Sequence, residues 1–168
     1  MMQSVNKMTK LTLFLSIGLI VSYMETPFGI LLGIPGIKIG FANIVTLLLF
    51  ELYCFKEATL VTILRIIMVS MFRGFSVSFM YAIFGGMLSL VVMSILFKLF
   101  RKHLTLISIS MIGAFFHNLG QVIAIGFIFS NYKLSLYWFP LIGYAGIIAG
   151  LITGFIAVLI LKQKRYLV

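Results

Sequence analysis

LTLISISMIGAFFHNLGQVIAIGFIFSNY, residues 104–132, contains no Lys, Arg, Asp or Glu, and His117 is its one side chain able to titrate near neutral pH. A bilayer core about 30 Å thick is crossed by about 20 apolar residues. This stretch therefore spans with length to spare for tilt or a break. Charge-free runs continue on both sides of it: 11–24, 39–50, 58–72 interrupted by Arg65, 74–97 and 134–161. These spacings predict helices over 10–25, 39–55, 57–72, 75–98, 105–131 and 135–161. The fold class is then all-α, a polytopic bundle of six transmembrane helices in one integral membrane domain covering 1–168. The second and third runs are short, so five or seven crossings are also compatible with the pattern.

Composition agrees. Of 168 residues 62% are hydrophobic and 10% charged, and the mean hydropathy is +1.23, beyond the roughly half-apolar make-up of soluble domains. The net charge of +10 invites a nucleic-acid reading, but the basic residues stand between apolar runs instead of massing on one face, so no nucleic-acid partner is expected. They act as topology signals. With six crossings, Lys7, Lys10, Lys56, Lys98, Arg101, Lys102, Lys162, Lys164 and Arg165 fall on one side, and Lys38, Arg73 and Lys133 on the other. The positive-inside rule then places both termini in the cytoplasm and the protein in the cell membrane. Tyr132, Tyr137 and Trp138 suit the outer interface. The first run follows Lys7 and Lys10 like a signal peptide, but no small-x-small cleavage site precedes Glu25, which favours a retained helix.

TPFGILLGIPGIKIG, residues 26–40, is apolar yet carries two prolines and four glycines, which disfavours a regular helix. A loop or re-entrant segment over 26–38 fits better. It either walls a pocket, since irregular backbone at membrane depth survives only against protein or a wet cavity, or it lies in the outer interface. Gly146, Gly150 and Gly154 recur every four residues and form a smooth stripe for close helix packing. Gly85 and Gly86 offer a similar position in the fourth helix. Gly18 and Ser22 form a small-residue face on the first helix, the best candidate for coupling to a membrane partner.

Polar groups inside apolar runs need partners or a cavity. A central arginine costs about 3 kcal/mol on insertion scales, so Arg65 either lines a site, with Glu25 as a possible counter-charge, or snorkels along a short tilted helix. His117 and Gln121 share a helix face and Asn118 lies beside them; they pair with another helix or touch a ligand. Without Asp or clustered His and Cys, no metal site is expected. Lys38, Asn43 and Arg73 make the outer half electropositive, which suits either an anionic ligand or lipid headgroups. Phe75, Phe79 and Tyr81 are candidate holders of an apolar body. Catalysis is poorly supported: the chain has no Asp and its carboxylates are Glu25, Glu51 and Glu57, whereas magnesium-dependent diphosphate chemistry needs clustered carboxylates. No loop ending in GK[ST] is present, so the chain does not power transport with ATP by itself. A lone Cys54 excludes an internal disulfide, and no cofactor is expected.

PGIKIGFANIVTLLLFELYCFKEATLVTILRI (35–66), FSVSFMYAIFGGMLSLVVM (75–93) and GAFFHNLGQVIAIGFIF (113–129) resemble the membrane family labelled heptaprenyl diphosphate synthase component I, also called the Gx transporter family. That family is similar to the substrate-binding S components of energy-coupling factor (ECF) transporters, six-helix proteins that capture vitamins or their precursors from outside and dock on shared transmembrane and ATPase subunits. The resemblance implies an S-component-like subunit binding a small anionic or isoprenoid- or quinone-precursor-like ligand, with ECF subunits as partners. Gly18 and Ser22 stand where that family's coupling face carries paired alanines. The alternative it implies is a non-catalytic membrane accessory in heptaprenyl diphosphate or menaquinone synthesis, or in an electron-transfer complex, with a prenyl synthase or redox protein as partner. A third reading, an intramembrane enzyme using His117 and a glutamate, requires activity from the chain alone.

Overall fold

The structure is a computed structural model that describes residues 2–25, 38, 40–73, 75 and 77–166, with the side chains of 2–4, 73 and 164–166 outside that description. The expected loop over 26–38 lies outside the described residues except for Lys38. Among the described residues the protein is all-helical: α1 Met2–Met24, α2 Asn43–Leu52, α3 Phe55–Arg73, α4 Val77–Ile95 running into a π-helical turn Leu96–Phe100, α5 Leu106–Ile128 and α6 Tyr132–Tyr166.

Four of these are long and apolar enough to cross a membrane: Val5–Met24, Val77–Phe100, Leu106–Ile128 and Tyr132–Gln163. The expected helix over 39–55 is much shorter. At 1.5 Å per residue, the 10 residues of α2 span about 15 Å, half a bilayer core. The reason is local: Gly40 adopts φ +102°, a left-handed conformation that ends regular structure, and the helix starts only after it. Helix α3 has 19 residues, enough to cross, but Lys56, Glu57, Arg65 and Arg73 lower its hydropathy. Helix α1 begins earlier than its apolar run because Lys is a good helix former; absence of charge marks hydrocarbon depth and not the helix end. Pro140 sits inside α6 without ending it, as neighbouring helices in membranes allow.

The side chains are sorted for lipid. Leu13, Ile17 and Ile20 of α1, Val91 and Ile95 of α4, and Ile148, Leu151 and Phe155 of α6 are exposed, while Ser22, Glu25, Asn43, Thr46, Thr62, Arg65, Ser89, Ser110, His117, Asn118, Gln121 and Thr153 are buried. That inversion is stable only where the surroundings are apolar and each polar group needs a protein partner.

Helices α5 and α6 form the most extensive pair, α4 packs next on α5, and α1 lies mainly on α3. The glycine stripe makes the first pair possible. A methyl group built on Gly146, Gly150 or Gly154 would come within 2.6 Å of Asn118 Nδ2, 2.5 Å of Met111 Cα or 2.8 Å of Ile107 Cα. The same seam is fastened by the Ser110–Thr153 hydroxyl bond of 2.9 Å. On the other side a methyl on Gly85 would meet the His117 carbonyl oxygen at 2.7 Å, and one on Gly86 the Ile66 side chain at 2.7 Å. Apolar clusters fill the rest: Leu47, Met93, Ile109 and Ala157 towards one end, Val45, Leu49, Val61 and Leu90 beside α1, and Tyr81, Val122, Ile125 and Ile142 towards the other end.

Two ion pairs, Lys7–Glu57 and Arg101–Glu51 at 3.0 Å, bring together the α1 start, the α2–α3 junction and the turn after α4. Because Gly154 packs on Ile107, Lys162 continues towards the same end. Lys7, Arg101 and Lys162 thus lie towards one end of the bundle.

Candidate functional site

Away from that basic end, α1, α3, α4 and α5 enclose a cavity. Ser22, Glu25, Lys38, Gly40, Ala42, Arg65, Ile66, Val69, Ala82 and His117 line it. Its depth follows from helix rise. Arg65 lies eight residues beyond Glu57 and His117 twelve beyond Thr105, about 12 and 18 Å from the ion-paired end, near the middle of a 30 Å core.

The walls are fixed by hydrogen bonds to backbone. Glu25, at the C-terminal end of α1, accepts from the Ala42 N–H at 2.7 Å through Oε1. Gln121 of α5 grips Lys38 at both main-chain groups: the Lys38 N–H donates to Oε1 at 2.8 Å, and Nε2 donates to the Lys38 carbonyl at 2.7 Å. The same amide nitrogen also donates to Asn118 Oδ1 at 3.0 Å, and Asn118 Nδ2 donates to the Ile142 carbonyl of α6 at 2.6 Å. A buried chain therefore runs from α6 through Asn118 and Gln121 to the Lys38 backbone. The spacing that set His117 and Gln121 on one face separates their tasks, with Gln121 holding the wall and His117 lining the space.

Other buried polar atoms have no such partner. Glu25 Oε2, Asn43 Nδ2 and both ring nitrogens of His117 are buried without a hydrogen bond of good geometry, with the Gly40 N–H close to the Glu25 carboxylate and the Gly85 carbonyl close to the imidazole. Native interiors leave few such groups, because each costs about 1–3 kcal/mol. They are neighbours: a methyl on Gly40 would lie 3.4 Å from His117 Cδ2 and 3.5 Å from Asn43 Nδ2. Arg65 reaches the site from α3 with its stem against α1, where a methyl on Gly18 would sit 3.0 Å from Arg65 Cδ. The Glu25 carboxylate attracts it and Lys38 electrostatically. With two cations, one carboxylate and a histidine, the cluster favours an anionic group. The space left between these side chains has room for about one water.

The structure thus brings Lys38, Asn43, Arg65, His117, Asn118 and Gln121 together. It places the aromatics elsewhere: Tyr81 is 1% exposed within an apolar cluster, and Phe79 meets Phe75 edge-on at 5.0 Å; neither lines the cavity. Arg73 ends α3, and its side chain is outside the described residues. Gly18 and Ser22 point into the bundle, against Arg65 and into the cavity, so the lipid-facing surface of α1 is Leu13, Ile17 and Ile20 instead. Glu25, weighed in the sequence only as a counter-charge, is a wall of the site. The available signal was its position, since it is the one carboxylate away from the basic end. Among the described residues no three His, Cys, Asp or Glu side chains converge to hold a metal.

The family model of heptaprenyl diphosphate synthase component I matches residues 14–160. The chain belongs to that family. The match runs from α1 into α6 and contains every residue of the cavity. No curated protein and no solved structure matches the chain.

Proposed function

We propose that the chain is a non-catalytic membrane subunit that binds the charged group of a small anionic ligand at the Lys38–Arg65–His117 cluster. One observation carries this reading: fully buried polar atoms without partners surround a cation-rich cavity near mid-membrane depth. Buried charge at that depth is expensive and marks function by default. The six-crossing topology with cytoplasmic termini belongs to the same proposal.

Two partner machineries suit such a subunit. Family membership supports a component of prenyl diphosphate synthesis, a membrane accessory presenting an isoprenoid diphosphate to a separate catalytic partner. The enclosure of the site supports the second, an ECF S-component-like or Gx-transporter role in which the ligand is captured and carried by transmembrane and ATPase partners. A group walled in by four helices is better placed for capture than for display to a soluble enzyme.

Binding of inorganic diphosphate to the detergent-purified chain tests the shared core of both. Arg65→Ala and Lys38→Ala are expected to lower affinity at least tenfold, and unchanged affinity in both rejects the site. Affinity purification from native membranes separates the partners: recovery of ATPase and coupling subunits supports transport, and recovery of a prenyl synthase alone supports the accessory role.

A further inference from the structure

A carboxylate inside an anion site repels the ligand unless the ligand brings a proton. Glu25 is 1% exposed and keeps Oε2 unpartnered while Oε1 holds the Ala42 N–H. His117 and Asn43, each 4% exposed, leave both imidazole nitrogens and Nδ2 unpartnered. A neutral imidazole presents one donor and one acceptor. The site therefore offers donors from Arg65 and one His117 nitrogen, with Asn43 Nδ2 beside the lining residue Gly40, and acceptors from Glu25 Oε2 and the other nitrogen. A complementary ligand carries acceptor oxygens together with at least one acidic hydrogen. A carboxylate or sulfate has oxygens only, and one of them would face Glu25 Oε2 lone pair to lone pair. A phosphoryl group that retains one proton has both.

We propose that this site selects a monoprotonated phosphoryl group, such as the terminal phosphoryl of a phosphomonoester or diphosphate, whose P–OH donates to Glu25 Oε2 while its remaining oxygens accept from Arg65, Asn43 and His117. The proposal rests on the anion-site reading above and sharpens it from charge to protonation. Glu25 is then the specificity-determining residue. It excludes sulfate and fully ionised anions by the same lone-pair repulsion that a proton on the ligand removes.

Isothermal titration of the full chain in detergent with methyl phosphate, phenyl phosphate and sulfate, at about pH 6 and about pH 8, reads this directly, since phosphomonoesters lose their second proton near pH 6, whereas inorganic phosphate and diphosphate would keep a proton at both. At the lower pH, either phosphomonoester is expected to bind about tenfold to a hundredfold more tightly than sulfate, the worth of a hydrogen bond to a charged group. The phosphomonoester-to-sulfate ratio is expected to fall at the higher pH. Using the ratio cancels any change in the charge of His117, Lys38 or Arg65, which acts on both anions; a proton taken up by Glu25 itself acts like Glu25→Gln, improves sulfate at the lower pH and counts against the proposal. Glu25→Gln keeps an acceptor for Ala42 and supplies an N–H donor to the ligand, so it narrows the ratio by improving sulfate. Equal binding of the phosphomonoesters and sulfate by the unmodified chain, or a ratio that rises with pH, overturns proton selection. If Arg65→Ala then abolishes both, the anion site itself stands. If none of the three anions binds, both readings fail.

Discussion

Gly150→Ala adds one methyl group to α6, and the structure says where it goes. The new carbon would lie 2.5 Å from Met111 Cα, 2.8 Å from the Ser110 carbonyl oxygen and 3.0 Å from Ala114 Cβ. Ordinary carbon–carbon contact begins at about 3.5 Å, and two of the three obstacles are backbone, which no rotamer change moves. Helix α6 has to retreat from α5 by about 1 Å. Overpacking of this kind costs about 1–3 kcal/mol. Weakening the Ser110–Thr153 bond adds about 0.6 kcal/mol, the average for interhelical hydrogen bonds in membranes. The better helix propensity of alanine returns up to about 1 kcal/mol, leaving a net loss of about 1–3 kcal/mol. Gly143→Ala is the control on the same helix: its methyl would meet only side-chain carbons of Phe115 and Phe139, from 3.6 Å outward, so propensity alone acts and the variant is neutral to slightly stabilised. Equilibrium unfolding in mixed micelles, followed by circular dichroism, compares the pair. A Gly150→Ala protein as stable as the parent, or a Gly143→Ala protein equally damaged, refutes the claim that backbone contact along this seam sets the α5–α6 distance.

Other outcomes follow from the remaining contacts. Gln121→Leu keeps the approximate size of the side chain but strips both main-chain groups of Lys38 and one acceptor on Asn118 of their bonds; at about 1–3 kcal/mol for each stranded group, a loss of several kcal/mol is expected in the same unfolding assay, with anion affinity falling alongside. Cys54 is the sole cysteine and is exposed at the end that carries the ion pairs. A membrane-impermeant thiol reagent should therefore label it in inside-out vesicles and not from outside intact cells, and the opposite pattern reverses the topology. The Arg101–Glu51 pair is bidentate, at 3.0 Å for each contact, but partly exposed. A double-mutant cycle with alanine should give a coupling of about 1 kcal/mol or less, and a larger value shows that this end is shielded from water.

Much of the fold was legible in the sequence, because crossing a bilayer imposes length and polarity on each segment separately. The runs around His117 and after Leu134 became α5 and α6 with ends shifted by a few residues. Helix α2 is shorter than its apolar run for the opposite reason. Its shortness depends on the positive φ at Gly40, and a run of apolar residues does not say where the backbone turns. Of the candidate site, the polar residues within apolar runs were visible as anomalies, and Lys38, Asn43, Arg65, His117, Asn118 and Gln121 do converge. Side-chain chemistry alone points to Tyr81 and Phe79, and it cannot tell a side chain lining a cavity from one packed, as Tyr81 is, against Val122 and Ile125. The smallness of Gly18 and Ser22 permits approach by a membrane partner or, as at Gly18, by the long stem of Arg65.

By itself, then, the sequence determined the all-helical membrane architecture, the basic end and the set of polar groups too costly to leave facing lipid. Those properties depend on each segment's own composition against the solvent it must enter. The tertiary structure alone decided that Glu25 joins the cations, that Gln121 spends its amide on the Lys38 backbone, and that His117, Asn43 and one oxygen of Glu25 are left open around a single cavity. Burial and hydrogen-bond pairing are relations between helices distant in sequence, and only their packing assigns them.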